Sequence, residues 1–141
     1  MRFFLAVMAI LGGCATAQPP SPVSEPAPAP AAATGSAAVA SLVTSARADA
    51  AAGRLVQAAA SLERALRIEP RNPHLWQELA RVRLRQGDYA QVESVAARSN
   101  SWAGGDSRLR AENWRLIAQA REARGDAAGA RAALEAADRQ R

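Results

Sequence analysis

One pattern of small and large residues recurs three times between about residue 40 and residue 140. Its fixed point is a glycine at positions 53, 87 and 125, so the second interval is slightly longer than the first. A large residue stands eleven positions before each glycine and an alanine stands seven positions before it: Leu42, Trp76 and Trp114, and Ala46, Ala80 and Ala118. Self-similarity at such a period is typical of stacked repeats, in which each unit packs on its neighbours. The sequence therefore predicts a repeat architecture.

Each recurring position has a physical role in a helix-turn-helix unit. The glycine ends the first helix, where a tight turn needs a positive φ. The alanines, together with Ala58 and Ala130, let two antiparallel helices approach closely, and the large residues, together with Leu62 and Leu134, fill the space between repeats. Pro70 stops the second helix, and Asn72-Pro73 is a typical N-cap and first turn of the next one.

This pattern resembles the tetratricopeptide repeat, a helix-turn-helix whose period matches the interval between the first two glycines. The resemblance implies an all-α fold, a right-handed superhelix of about three antiparallel helix pairs over residues 38–141. We expect repeats at about 39–72, 73–106 and 111–141. The expected helices are about 38–52, 55–68, 73–86, 89–100, 108–124 and 127–139.

The second repeat departs from the pattern in its latter half, where a run from Ser99 to Asp106 replaces the proline-ended turn. Gly104-Gly105 must form a turn, with Asp106 or Ser107 capping the next helix. Trp102 has two interpretations: it packs over the helix joint, or it is a binding aromatic. The last helix is either polar enough to end the stack or docks on a partner or a second copy.

The first residues of the chain are typical of a secretory signal. Arg2 and the amine of Met1 supply positive charge, and the apolar stretch Phe3–Leu11 is too short to span a bilayer, which needs about 20 apolar residues. Leu11-Gly12-Gly13-Cys14 resembles the lipobox of bacterial lipoproteins. That resemblance implies a signal peptide at 1–13, cleavage before Cys14, and acylation of its thiol and new amine.

An overlapping signal leaves an alternative open. Ala15-Thr16-Ala17 before Gln18 fits ordinary signal cleavage, which would release a soluble periplasmic protein without cysteine. Cys14 is the sole cysteine, so a disulfide within one chain is excluded. Ala15, and not Asp, follows Cys14, and by resemblance to enteric lipoprotein sorting this favours the outer membrane, facing the periplasm.

The composition of residues 14–37 predicts a disordered tether between the lipid and the helices. The segment is rich in Pro, Ala and Ser, and prolines fix φ and lack an N–H donor. In polyproline II, at about 3.1 Å per residue, roughly 20 residues reach about 60 Å. The chain carries 18 basic residues, all arginine, and a net charge of +5, which is weak evidence about partners. Export argues against a nucleic-acid ligand.

The first helix of each tetratricopeptide pair lines a groove, and the family's groove-facing positions can be carried onto this chain. Guanidinium groups bind carboxylates through two parallel hydrogen bonds, so an acidic peptide or a C-terminal carboxylate is a sensible ligand. Alternatively, Arg81, Arg83 and Arg85 form a solvated face paired with Glu78 and Asp88. The candidate ligand residues are Arg47, His74, Gln77, Arg81, Arg85, Arg115 and Gln119, beside Val43, Leu84, Glu112 and Glu122.

The sequence offers no recognisable catalytic or cofactor site. One cysteine and one histidine exclude a cluster with metal-ligand spacing, and His74 is interpreted as a surface or capping residue. We therefore expect neither an enzyme nor a cofactor, but an envelope lipoprotein that works as a protein-protein adaptor. Repeat lipoproteins serve pilus or secretin assembly or peptidoglycan enzymes. A self-associating structural spacer and a binder of anionic glycans or lipid head groups are the alternatives.

Overall fold

The computed structural model describes residues 31–141, with side chains from Gly35 onward. This part is all-α, as expected, and none of its helices has the length and hydropathy of a membrane span. The predicted signal peptide, the lipidation of Cys14 and the tether up to residue 30 lie outside the described residues. The helices are α1 (Ala31–Ala51), α2 (Leu55–Ile68), α3 (Pro73–Gln86), α4 (Tyr89–Trp102), α5 (Ser107–Ala123) and α6 (Ala127–Asp138).

Helix boundaries agree closely with the sequence expectations except at two places. The bounds of α2 and α3 are those predicted, and the ends of α5 and α6 differ by at most one position. Helix α4 continues beyond the expected Asn100 to Trp102. Helix α1 begins at Ala31, well before the expected position 38, because its first residues are mostly alanine, the best helix former, although they show no apolar periodicity. The expected disordered tether over 14–37 was therefore wrong for residues 31–37, which are helical.

The turns inside the three repeats are closed by the recurring glycines. Gly53, Gly87 and Gly125 have φ values of 76°, 78° and 79°, which confirms the predicted left-handed position. After the middle turn, the amide of Asp88 returns to the carbonyl of Arg83 at 3.0 Å and satisfies one of the helix's last acceptors. A side chain at these glycines would strain the backbone.

Consecutive helices pair as α1/α2, α3/α4 and α5/α6, and adjacent pairs pack through α2 on α3 and α4 on α5. The first helices α3 and α5 also contact each other directly, and an ion pair joins α1 to α3. Helices α1, α3 and α5 therefore line one side of the stack, which we call the inner groove. The second helices α2, α4 and α6 form the outer side.

The predicted packing positions hold for the small residues and for most of the large ones. The alanines at the close approaches, Ala46, Ala58, Ala80, Ala118 and Ala130, are all buried. Leu62 is buried, and Leu42, Trp76 and Trp114 pack partly buried against the core. Leu134 does not fill a space between repeats as expected: it is 48% exposed, because no described helix packs on that side of α6.

The two ends of the stack differ in chemistry. Leu75 and Leu79 of α3 are buried among side chains of α1 and α2. At the equivalent positions one repeat earlier, α1 has Ser41 and Ser45, and both are exposed. At the other end, the exposed Leu134 is the equivalent of the buried Leu62. The α1 end thus presents hydroxyl groups beside the exposed Ile68, and the α6 end presents the apolar side chain of Leu134.

Candidate protein-binding groove

The inner groove starts from the first turn of α3, and local sequence fixes that turn. Asn72 is the N-cap: its side-chain oxygen accepts a hydrogen bond from the amide of His74 at 3.1 Å, and Pro73 occupies the first helical position. This confirms the predicted cap. The imidazole of His74 is exposed beside two shallow recesses of the groove.

Two ion pairs cross the groove between successive first helices. Arg47 Nη2 lies 2.7 Å from Glu78 Oε1, and Arg81 Nη2 lies 2.8 Å from Glu112 Oε2. In both pairs the partners are 31 residues apart, so each pair joins one repeat to the next. Arg108 also reaches Glu112, at 3.3 Å. The positive charge in the middle of the groove is therefore partly balanced by carboxylates.

The alternative pairing of the α3 arginines with Glu78 and Asp88 is not what the structure shows. Arg81 pairs with Glu112, and Arg83 points away from the groove to Glu63, at 2.5 Å. Arg85 donates to the carbonyl oxygen of Ala50 at 2.8 Å. These partners lie in other helices, so periodicity within α3 could not identify them.

Gln77 lies at the floor of the groove and is only 5% exposed. Its Nε2 is 3.2 Å from Asn113 Oδ1, and its Oε1 accepts from Arg81 Nη2 at 3.2 Å. Asn113 is fully buried and donates to the Ser99 hydroxyl. Gln77 thus ties α3 to α5, and its amide groups are already used inside the domain.

This buried polar cluster was missed from the sequence. Asn113 occupies the position of Leu75 when the second and third repeats are aligned by their glycines. A polar residue at a core position was the available signal. A second signal in the sequence was Ser99, a polar residue near the end of α4 in the irregular second repeat.

The remaining candidate residues lie toward the last repeat. Arg115 and Gln119 line a recess of about 300 Å³ with Glu122 and Leu134. A recess of about 320 Å³ between α3 and α5 is lined by His74, Gln77, Asp106, Arg108, Leu109 and Glu112. A second, also about 320 Å³, lies between α1 and α3. The structure therefore brings Arg47, His74, Gln77 and Arg81 together and places Arg115 and Gln119 at one end.

The chemistry of the inner groove is hydrogen bonding and ion pairing. Exposed guanidinium groups alternate with carboxylates along it, so the groove offers both charge-assisted donors and acceptors of hydrogen bonds. Within residues 31–141 no group of three or more His, Cys, Asp or Glu side chains could hold a metal ion.

Trp102 ends α4 and is 40% exposed. The guanidinium carbon of Arg71, in the loop between α2 and α3, lies 5.2 Å from its ring centroid, a cation–π contact. The ring therefore covers the joint between repeats and also presents area to solvent, so both interpretations of Trp102 keep support.

Comparison with known proteins agrees with this geometry. A family model described as tetratricopeptide repeat matches residues 49–112. The solved structure of the globular C-terminal domain of P. aeruginosa LpoP is 52% identical, with a TM-score of 0.69. That match covers 71% of this chain and 94% of the LpoP chain. A search of curated proteins finds no match. The similarity to the LpoP domain therefore extends to both sequence and fold.

Proposed function

We propose a function for this chain from one premise: it belongs to the tetratricopeptide-repeat family. Stacked repeats of this kind form extended surfaces that act as protein-interaction scaffolds. We propose that this domain binds a protein of the bacterial envelope in its inner groove and that the partner is a peptidoglycan synthase, which it regulates. The identity of 52% over nearly the whole LpoP domain supports this choice over pilus or secretin assembly.

The proposed place of action is the periplasmic face of the outer membrane. Lipid on Cys14 would hold the chain there, and residues 14–30, which precede α1, would let the helices reach a partner at a distance. Cleavage after Ala17, which gives a soluble periplasmic protein, is the alternative. Mass spectrometry of the mature N-terminus separates the two, because only the first leaves a lipidated Cys14.

The observation that carries the groove assignment is the exposure of its ion-paired arginines. The side chains of Arg47 and Arg81 are 67% and 45% exposed although each is paired. Exposed ion pairs contribute only about 0–1 kcal/mol, so a partner's carboxylate can replace Glu78 or Glu112 at little cost. We propose that Arg47, His74, Arg81, Arg85, Arg115 and Gln119 contact the partner and that Gln77 supports them from the floor.

Affinity purification from solubilised membranes tests this proposal. The bait is the lipidated full chain, as wild type and as the Arg81→Glu, Arg85→Glu variant. The matched control, Arg131→Glu, Arg139→Glu, makes the same change of charge on exposed residues of the α6 region. We expect wild type and control to recover a peptidoglycan synthase equally and the groove variant to recover about tenfold less, the effect of about 1.4 kcal/mol.

Two results would contradict the proposal. Recovery of no synthase by the wild type removes the partner, and equal recovery by all three baits removes the groove. Circular dichroism of each bait, which must show the same helix content, separates lost binding from lost folding.

A second candidate is the self-associating spacer, which one observation favours. Leu134 is exposed at the last repeat beside Ala130, at a position where the first repeat buries Leu62. Apolar area of this kind drives association when two copies cover it. Sedimentation of the full chain with Cys14→Ser tests this role, with and without the further change Leu134→Glu. The role is supported only if the Cys14→Ser chain forms an oligomer and Leu134→Glu dissociates it.

A further inference from the structure

The outer side of the stack carries a recess that no repeat position predicted. It lies between α2 and α4, above α3, and has a volume of about 460 Å³. Its apolar walls are Leu66, Pro70, Trp76, Leu79 and Val95. Helices α2 and α4 make no extensive contact with each other, so the recess stays open between them. An apolar depression of this kind is suited to receive side chains from another molecule.

Trp76 is fixed in place at this recess. Its Nε1 donates to the carbonyl oxygen of Pro70 at 2.8 Å, and the Arg98 guanidinium carbon lies 5.5 Å from its ring centroid. Arg98 belongs to α4, and one turn later in that helix stands Trp102. The guanidinium group of Arg71, which follows Pro70 in the chain, covers the Trp102 ring. The recess and this pair of tryptophans thus form one continuous surface, which we call the outer patch.

The arginines of the outer patch differ electrically from those of the inner groove. Arg67, Arg71 and Arg98 are exposed, and within residues 35–141 no carboxylate lies within ion-pair distance of any of them. Of the two nearby acids, Glu63 is paired at 2.5 Å with Arg83, which also lines the recess, and Glu69 keeps its charge while it accepts from Asn72 Nδ2 at 2.8 Å. With three arginines against Glu69, the outer patch therefore carries an excess of positive charge around an apolar centre.

We propose that the outer patch is a second docking surface, whose occupant is an acidic, apolar segment of a protein partner. Its apolar side chains enter the recess over Trp76, and its carboxylates bind Arg67, Arg71 and Arg98. A guanidinium stacked on an aromatic ring keeps its in-plane N–H groups for a carboxylate, and tryptophan and arginine are enriched among residues that dominate binding energy. This inference does not rest on the partner or the groove proposed above.

Binding of a defined peptide tests the outer patch. The probe is a synthetic peptide of about 15 residues with leucines at three- and four-residue spacing and glutamates on its other face. A second peptide has lysine for every glutamate, and a third has serine for every leucine. The protein is the ¹⁵N-labelled full chain with Cys14→Ser, observed at its tryptophan indole N–H resonances.

We expect the acidic apolar peptide to bind and to shift the Trp76 and Trp102 indole signals, while the lysine and serine peptides bind at least about tenfold more weakly. Arg67→Glu, Arg98→Glu should weaken binding by about tenfold or more, because two charge-assisted contacts are replaced by repulsion. The control Arg131→Glu, Arg139→Glu should bind like wild type.

Three results would overturn the proposal. The first is no binding of the acidic peptide at about 1 mM, beyond which affinity has little biological meaning. The second is equal weakening in the control, which indicates attraction by net charge alone. The third is weakening by Arg81→Glu, Arg85→Glu but not by Arg67→Glu, Arg98→Glu, which places the peptide in the inner groove. Failure here leaves the membrane purification, and hence the groove proposal, unaffected.

Discussion

Asn113 Nδ2 donates to Ser99 Oγ across 2.7 Å, and both side chains are fully buried. The Ser99 hydroxyl in turn donates to the carbonyl oxygen of Pro73 at 2.8 Å. Asn113 also donates to Asn100 at 2.9 Å and accepts from Gln77. One asparagine therefore connects α3, α4 and α5 at the joint between the second and third repeats. An apolar residue at this position could make none of these hydrogen bonds.

Replacing Asn113 should be among the most damaging changes to this domain. Asn113→Ala leaves the partners of the amide buried without hydrogen bonds and creates a small cavity, so we expect a loss of about 2–4 kcal/mol in the free energy of unfolding. Urea denaturation followed by circular dichroism measures it. Ser94→Ala, an exposed serine of α4, is the control and should change stability by less than about 0.5 kcal/mol. Equal effects of the two variants would contradict the network.

The glycine turns should tolerate side chains very unequally. Gly87 has a φ of 78°, whereas the φ of Gly105 is not in the left-handed region. A β-carbon added to Gly105 would lie more than 4 Å from every atom beyond its two chain neighbours. We expect Gly87→Ala to cost about 1–2 kcal/mol of stability through backbone strain. Gly105→Ala should be neutral or stabilise by up to about 1 kcal/mol, because it restricts the unfolded chain. Thermal unfolding of both variants checks the contrast, and a similar loss in both would refute it.

Leu62 and Leu134 occupy equivalent positions in their repeats but differ in burial. Truncating them to alanine should therefore cost different amounts of stability. Leu62→Ala should destabilise by about 2–5 kcal/mol, the usual loss for a buried leucine. Leu134→Ala should cost less than about 1 kcal/mol, because half of that side chain is already in water. Chemical denaturation of the two variants measures the difference. If Leu134→Ala is as damaging as Leu62→Ala, another part of the protein covers Leu134.

The close approach of paired helices at alanine should make added volume costly. Ala80 is fully buried in α3, and Ala90 is exposed in α4. Ala80→Leu must displace a neighbouring helix, so we expect a loss of about 1–3 kcal/mol. Ala90→Leu adds the same atoms to the surface and should change stability by less than about 0.5 kcal/mol. Unfolding midpoints in urea compare the two, and an undisturbed Ala80→Leu variant would mean that the helices are less tightly packed.

Removing the groove glutamates separates stability from binding. Glu78→Gln, Glu112→Gln leaves Arg47 and Arg81 without carboxylates, and because both pairs are exposed the loss of stability should stay below about 1 kcal/mol per pair. Recovery of an acidic partner in the membrane purification should rise, since the partner no longer competes with Glu78 and Glu112. Lower recovery would indicate that these glutamates themselves contact the partner.

Features set by a few neighbouring residues could be predicted from the sequence. Asn72-Pro73 caps α3 as expected, and Asp106 is the cap of α5, its side chain accepting from the amide of Leu109 at 2.8 Å. The glycine positions and the small residues between paired helices were also correct. These features recur because each repeat needs a tight turn between its two helices and small side chains where the helices touch.

Features set by residues far apart in the chain could not be predicted. The partners of Arg81 and Arg83 lie 31 and 20 residues away, in other helices, so charge patterns within α3 pointed to the wrong carboxylates. Gln77 was placed in the groove by its repeat position, but its amide is held by Asn113 beneath the surface. The outer patch depends on Arg98 meeting Trp76, and nothing in either segment alone indicates that contact.

The unlike ends of the stack give the fold a direction of growth. A repeat duplicated in the gene after α6 would find Leu134 ready to be covered, as Leu62 already is. A repeat inserted ahead of α1 would meet the hydroxyls of Ser41 and Ser45, which would need hydrogen-bond partners such as those that Asn113 finds at the joint between the second and third repeats. Lengthening by duplication, in evolution or by protein engineering, therefore needs only apolar cover for Leu134 at the α6 end, whereas at the α1 end it also needs hydrogen-bond partners for two serines.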